Sequence, residues 1–229
     1  MIERQEQQLA QAQDKARQLL KAIEEKGLIV IGYTEKQISD RIYDLAFEMF
    51  GAKKHWHKRV VRTGENTLYS YKVDPPDRPI CQGDLVYLDL GPVFDNFEGD
   101  IGKTYLLGND PVKAKLIQDL ERIFAQGKEF YLDNPAMTGA QLWEKVLELT
   151  EQAGWQFGNN HAGHIVGEFS HIQRYRDSPD HRINALNHLP MNTPGDDGLR
   201  RHWILEIHLV DKEGGFGGFF EDLISLSAN

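Results

Sequence analysis

The chain has 229 residues, 40% of them hydrophobic, with 35 acidic against 26 basic side chains and a net charge of −9. That apolar content suffices for a sizeable core and excludes a disordered chain, while the negative charge argues against a nucleic-acid partner, whose phosphates need Lys and Arg. A single cysteine, Cys81, excludes an internal disulfide framework and any CxxC zinc or redox motif and favours a reducing compartment.

The N-terminus is polar, and no run approaches the ~20 apolar residues of a membrane-spanning helix. A soluble cytoplasmic protein without a membrane partner is expected. Residues 3–26 place Leu9, Ala16, Leu19, Leu20 and Ile23 at helical spacing and stop at Gly27. Thr34 and Gln37 form a capping-box pattern ahead of Ile38, Ile42, Leu45, Ala46 and Met49, a second helix that ends at Gly51. Strands are predicted over 58–62 (KRVVR), 85–90 (LVYLDL) and 103–108 (KTYLLG), separated by the turn-rich KVDPPDRP and GPVFDN. Asp110 and Pro111 then open a helix whose Leu116, Leu120, Ile123 and Phe124 face inward, and Thr138 with Gln141 caps another that runs to Gly154. After residue 110 the order of capped helices and acid-bearing strands recurs. That order is compatible with two similar halves without a residue-level repeat, and the lack of a Gly-, Ser- or Pro-rich linker favours one α+β domain with helices covering a curved antiparallel sheet.

Asp89 and Asp100 stand among apolar strand residues at an odd separation of eleven. On one straight strand they would point to opposite faces. A chain reversal near Phe94 and Asp95 would instead set them opposite each other on neighbouring strands, with Cβ atoms ~4.5–5.5 Å apart on one face. Like charges there are destabilising unless a cation intervenes, and two metal ions about 3.5–4 Å apart would serve. Two aspartates alone are better explained by solvent or by Lys103. Glu206 and Glu221 repeat the arrangement, with a reversal near Glu213 and Gly214. Between the two pairs lies NNHAGHIVGEFSH (159–171), with three histidines. Four carboxylates and an imidazole form a mostly oxygen donor set suited to Mn²⁺, Fe²⁺, Co²⁺ or Zn²⁺.

In these residues the chain resembles the pita-bread metallopeptidases, which include methionine aminopeptidase, Xaa-Pro aminopeptidase, Xaa-Pro dipeptidase and the non-peptidase creatinase. The family's ligand order Asp, Asp, His, Glu, Glu falls on Asp89, Asp100, His164, Glu206 and Glu221. The resemblance implies a pita-bread fold of two pseudo-symmetric halves, with 1–229 as one catalytic domain lacking the additional N-terminal domain of proline-specific relatives. It implies two divalent ions per chain, Mn²⁺ first with Co²⁺, Fe²⁺ or Zn²⁺ as alternatives. Asp89 and Glu221 would hold one ion and His164 and Glu206 the other, with Asp100 and Glu221 bridging. A hydroxide shared by the ions would attack the first peptide bond of a peptide substrate, with Glu206 as proton shuttle and His171 as a second catalytic group that contacts substrate. Creatinase-like hydrolysis and a catalytically silent binding module are the alternatives on this fold, and a homodimer stays open.

The family also keeps a histidine in the strand before the first aspartate, where counting back finds Tyr71. Tyr71 is expected at the substrate, as is His208, which shares strand parity with Glu206. His55, His57 and His181 are expected in surface or structural roles. Residues 174–201, polar and turn-rich, are expected to roof the site.

Overall fold

Two amphipathic helices open the chain. In α1 (Ile2–Glu25) Leu9, Ala12, Ala16, Leu19 and Ile23 are buried. In α2 (Glu35–Phe50) the Thr34–Gln37 capping box forms as expected, and Gly51 closes the helix in the left-handed conformation. The computed structural model describes residues 2–134, 136–171 and 178–226. Residues 174–177 of the expected roof lie outside the described residues. The strands that follow are β1 (Val60–Thr63), β2 (Leu85–Leu90), the two-residue β3 (Val93–Phe94) and β4 (Phe97–Glu98), and β5 (Ile101–Leu106). The second half repeats this order: α3 (Pro111–Asp133), α4 (Gly139–Ala153), β6 (Gln156–Phe157), β7 (Ile165–Val166), β8 (His202–Asp211) and β9 (Phe216–Leu223). Asp110 caps α3 by accepting from the Val112 and Lys113 amides, and Thr138 with Gln141 caps α4.

The described strands make an antiparallel sheet in the order β1-β2-β5-β9-β8-β6, with β7 paired to β8. Three strands from each half thus meet at the β5–β9 seam, in mirrored order. Even-numbered residues of β2, Val86, Leu88 and Leu90, pack with α1 and α2. Leu205, Ile207 and Leu209 of β8 pack with α3 and α4. Strand alternation then sends Asp89, Glu206 and Glu221 to the other face. Both faces are buried, so acids there are costly unless something compensates their charge.

The two carboxylate hairpins differ in register. Glu206 pairs directly with Glu221, as the reversal near Gly214 predicts. Asp89 pairs with Gly102 and not with Asp100, which corrects the expected direct opposition. The reversal sits one residue further along, at Asp95 and Asn96, both with positive φ, inside the small β3–β4 hairpin. Asp and Asn tolerate this left-handed conformation better than other non-glycine residues. Moving a turn centre by one residue moves the register by two, so parity survives and the aspartates remain on one face.

Helix α1 also fixes this corner by polar contacts. Buried Gln13 grips the Asp100 backbone at both ends: its Nε2 donates to the Asp100 carbonyl (2.6 Å) and its Oε1 accepts from the Asp100 amide (3.0 Å). Asp222, next to Glu221, accepts from Gln13 Nε2 (2.7 Å) and from Arg17 Nε and Nη2 (3.0 and 2.9 Å). Among the described residues no helix is long and apolar enough to cross a membrane. Replacing Gln13 with Ala strands two buried backbone groups, and chemical denaturation of that variant is expected to show a loss of about 1–3 kcal/mol.

Candidate metal centre

Four carboxylates converge where the halves meet. Asp89 ends β2, Asp100 precedes β5, and Glu206 and Glu221 face each other across β8 and β9. None is more than 8% exposed, and Asp100 is wholly buried. His164, just before β7, directs Nε2 at Asp100 Oδ2 (3.3 Å) and Glu206 Oε1 (3.5 Å), while its Nδ1 lies 2.7 Å from the Ile165 carbonyl. A carbonyl only accepts, which assigns a proton to Nδ1 and turns Nε2 toward the carboxylates. All five expected ligands therefore meet.

Among the described residues both oxygens of Asp100 and Oε2 of Glu221 are buried without a hydrogen-bond partner. An orphaned buried polar atom costs about 1–3 kcal/mol, more if charged, so three in one cluster call for a cation. Donor atoms of Asp100, His164 and Glu221 lie within 4.8 Å of one another, as do those of His57, Asp89 and Asp100. The residues present fit a divalent metal.

Electrostatics carry the same message. Burial raises Asp89 to about 6 despite the opposing pull of His57, and Glu206 to about 7 despite that of His164. Burial, then Asp100, Asp89 and Glu206, push Glu221 well above the usual carboxylate range. Burial would raise Asp100 too, but His164 and His57 outweigh it and hold that carboxyl well below its ordinary value. Burial opposes charge on both histidines, yet Asp89 and Asp100 lift His57 to about 9, and Asp100 and Glu206 lift His164 to about 9.

The remaining expected residues divide. The side chain of His171 is buried, with Nδ1 2.6 Å from Glu98 Oε2 and its ring stacked on His164 at 5.4 Å. Glu98, also buried, accepts from the His171 and Gly167 amides as well. Tyr71 lines the cavity of about 240 Å³ over the carboxylates, but from a turn after a short 3₁₀ helix (Gly64–Leu68) and not from a strand. Its ring edge meets His57 at 5.6 Å. His208 is placed against expectation. It shares the face of Glu206, but there the 3₁₀ helix covers the sheet, and His208 Nε2 donates to the Thr67 carbonyl (2.9 Å) outside the cavity lining. Burial lowers its pKa, as suits a neutral core imidazole.

Three histidines go beyond what spacing predicts. His57, expected in a surface or structural role, sets Nε2 3.3 Å from Asp89 Oδ1 and 3.4 Å from Asp100 Oδ1. His181, with Arg182, lines the cavity from the segment that follows residue 177. His161 also lines it, with Nδ1 3.8 Å from Glu206 Oε2, and burial lowers its pKa to about 3. Val60 pairs with Asp89, so the residues just upstream of β1 arrive beside that aspartate.

Metal ligation needs a neutral imidazole, whereas His164 without a metal is protonated up to about pH 9. Binding of a divalent ion at pH 7 is expected to release at least one proton and to weaken as pH falls. Calorimetric titration in buffers of different ionisation enthalpy measures this, and an enthalpy independent of buffer would contradict it.

Known proteins share this sequence pattern and architecture. A model of metallopeptidase family M24 matches residues 7–222. An Xaa-Pro dipeptidase of Pyrococcus horikoshii is 28% identical over 167 residues, which are 71% of this chain and 45% of that protein. Human mitochondrial methionine aminopeptidase 1D is 24% identical over 112 residues, 48% of this chain and 32% of that one. The X-Pro aminopeptidase of Thermotoga maritima superposes with a TM-score of 0.74 at 19% identity, covering 99% of this chain and 62% of that structure. The prolidase of Pyrococcus horikoshii gives 0.74 at 20%, covering 99% and 60%. At such identities the structures show the fold, which is the expected pita-bread architecture, and the chain spans under half the length of the two sequence relatives. Because the family model spans almost all of the chain, the protein belongs to metallopeptidase family M24.

Proposed function

We propose that the chain is a dinuclear-metal exopeptidase, one catalytic domain that hydrolyses the N-terminal bond of short peptides in the manner of an Xaa-Pro aminopeptidase or dipeptidase. One observation carries this reading. Asp100 is wholly buried, its two oxygens have no hydrogen-bond partner among the described residues, and each faces a different imidazole, Oδ1 toward His57 and Oδ2 toward His164. Such a carboxylate suits a bridge between two cations. Asp89, His164, Glu206 and Glu221 supply the flanking donors, with Mn²⁺ the first candidate and Co²⁺, Fe²⁺ or Zn²⁺ the others. Bound there, two divalent ions would lower the pKa of a water toward neutrality and polarise the scissile carbonyl.

The side chains supply the rest. Glu206 takes a proton from the attacking water and returns it to the leaving amine. Glu98 accepts from Nδ1 of His171 and so turns Nε2 toward the cavity, where His171 hydrogen-bonds the substrate. Trp56, Tyr71, Ile165 and Phe219 give the cavity apolar wall, and Lys72 and Arg182 add positive charge suited to the carboxylate of a short peptide.

A panel of dipeptides and longer peptides, with and without an N-terminal Xaa-Pro bond, is expected to reveal metal-dependent release of the first residue. Glu206→Gln should lower kcat by about 10²–10⁴. Full activity in metal-free protein, or in that variant, would contradict the proposal.

A further inference from the structure

We infer that His57 is itself a metal ligand, so that each of the two ions carries one imidazole. The inference rests on the dinuclear reading above and adds a donor that the Asp, Asp, His, Glu, Glu order does not contain.

Four observations support it. First, Nε2 of His57 faces Asp89 and Asp100 at 3.3 and 3.4 Å, much as Nε2 of His164 faces Asp100 and Glu206 at 3.3 and 3.5 Å. A direct charged hydrogen bond would be shorter, about 2.7–2.9 Å. Two donors each about 2.1 Å from one ion, at right to tetrahedral angles, stand about 3.0–3.4 Å apart. Second, both rings are anchored alike. Nδ1 of His57 lies 2.6 Å from the Lys58 carbonyl, and Nδ1 of His164 lies 2.7 Å from the Ile165 carbonyl, each one residue ahead. That outer contact is what orients ligating imidazoles and fixes the tautomer with Nε2 free.

Third, the side chain of His57 is 4% exposed and held edge-on by Trp56 at 4.3 Å, so its approach is built into the fold. Fourth, Gly91 makes room for it. A Cβ at that position would stand 2.3 Å from His57 Cδ2 and 2.4 Å from both His57 Nε2 and Trp56 Nε1, where no side chain fits.

The consequence is chemical. Without His57 the Asp89 side of the centre offers oxygen alone, which suits Mg²⁺ or Mn²⁺; an added imidazole moves its preference toward Fe²⁺, Co²⁺ and Zn²⁺.

The test loads the metal-free protein with two equivalents of Co²⁺ and counts imidazoles per ion by X-ray absorption, with affinities from calorimetry. The wild type is expected to average one imidazole per Co²⁺. His57→Ala should average half of one and bind one of its two ions roughly tenfold to a hundredfold more weakly. Gly91→Ala, which keeps the imidazole but displaces it, should lose affinity in the same direction, while His55→Ala should match the wild type. Half an imidazole per ion in the wild type, a count that needs no variant to fold, would overturn the inference. So would unchanged affinity and count in His57→Ala. A wild type that binds no Co²⁺ would instead overturn the dinuclear reading itself.

Discussion

The carboxylate of Asp100 is buried completely, with neither oxygen hydrogen-bonded among the described residues. Around it stand Asp89, Glu206 and Glu221, also buried, in a sheet whose other face is packed by four helices. Four such acids cannot all be ionised together in a low-dielectric site without cations, because desolvation and mutual repulsion act in the same direction. Two imidazoles raised to about 9 partly offset this in the metal-free protein. These ion pairs, at 3.3 to 3.5 Å, are longer than charged hydrogen bonds and do not do the whole task.

The architecture is arranged to hold that cluster still. Each half contributes one carboxylate hairpin, and the hairpins meet where Gly102 pairs with Glu221 at the β5–β9 seam. Thr104 Oγ1 ties the seam by donating to the Phe219 carbonyl and accepting from its amide, each at 2.7 Å. Gln13 and Arg17 of α1 hold the Asp100 backbone and the Asp222 carboxylate from behind. The first helix is thus part of the support of the centre as well as a cover for the sheet. Groups that orient metal ligands in this way contribute to affinity without touching the ion.

Much of this was legible because it is local. Capping boxes at Thr34 and Thr138 and the Asp110–Pro111 start depend on neighbours three residues away, and they stand where the residues place them. The shared face of each acid pair, Asp89 with Asp100 and Glu206 with Glu221, could be read from parity alone, since a hairpin of odd separation keeps both acids on one face whatever its register, whereas His164 entered through the family's ligand order. Register itself was not legible for Asp89 and Asp100, because GPVFDN admits turn centres one residue apart and the β3–β4 pairing of Val93 with Glu98 and Phe94 with Phe97 decides between them. His57 and Gln13 escaped for a different reason. Each gains its role from a partner dozens of residues away, and a histidine beside lysines or a glutamine on a helix carries no local mark of burial. His208 shows the converse, since parity put it on the correct face but could not tell that Gly64–Leu68 covers that face.

The most direct test of the two-cation account is anomalous diffraction from crystals of the protein soaked in Mn²⁺. Two peaks are predicted, about 3.5–4 Å apart, one within bonding distance of each Asp100 oxygen. A centre without peaks, in which Asp100 closes onto His57 and His164 at charged hydrogen-bond distances of about 2.7–2.9 Å, would contradict it.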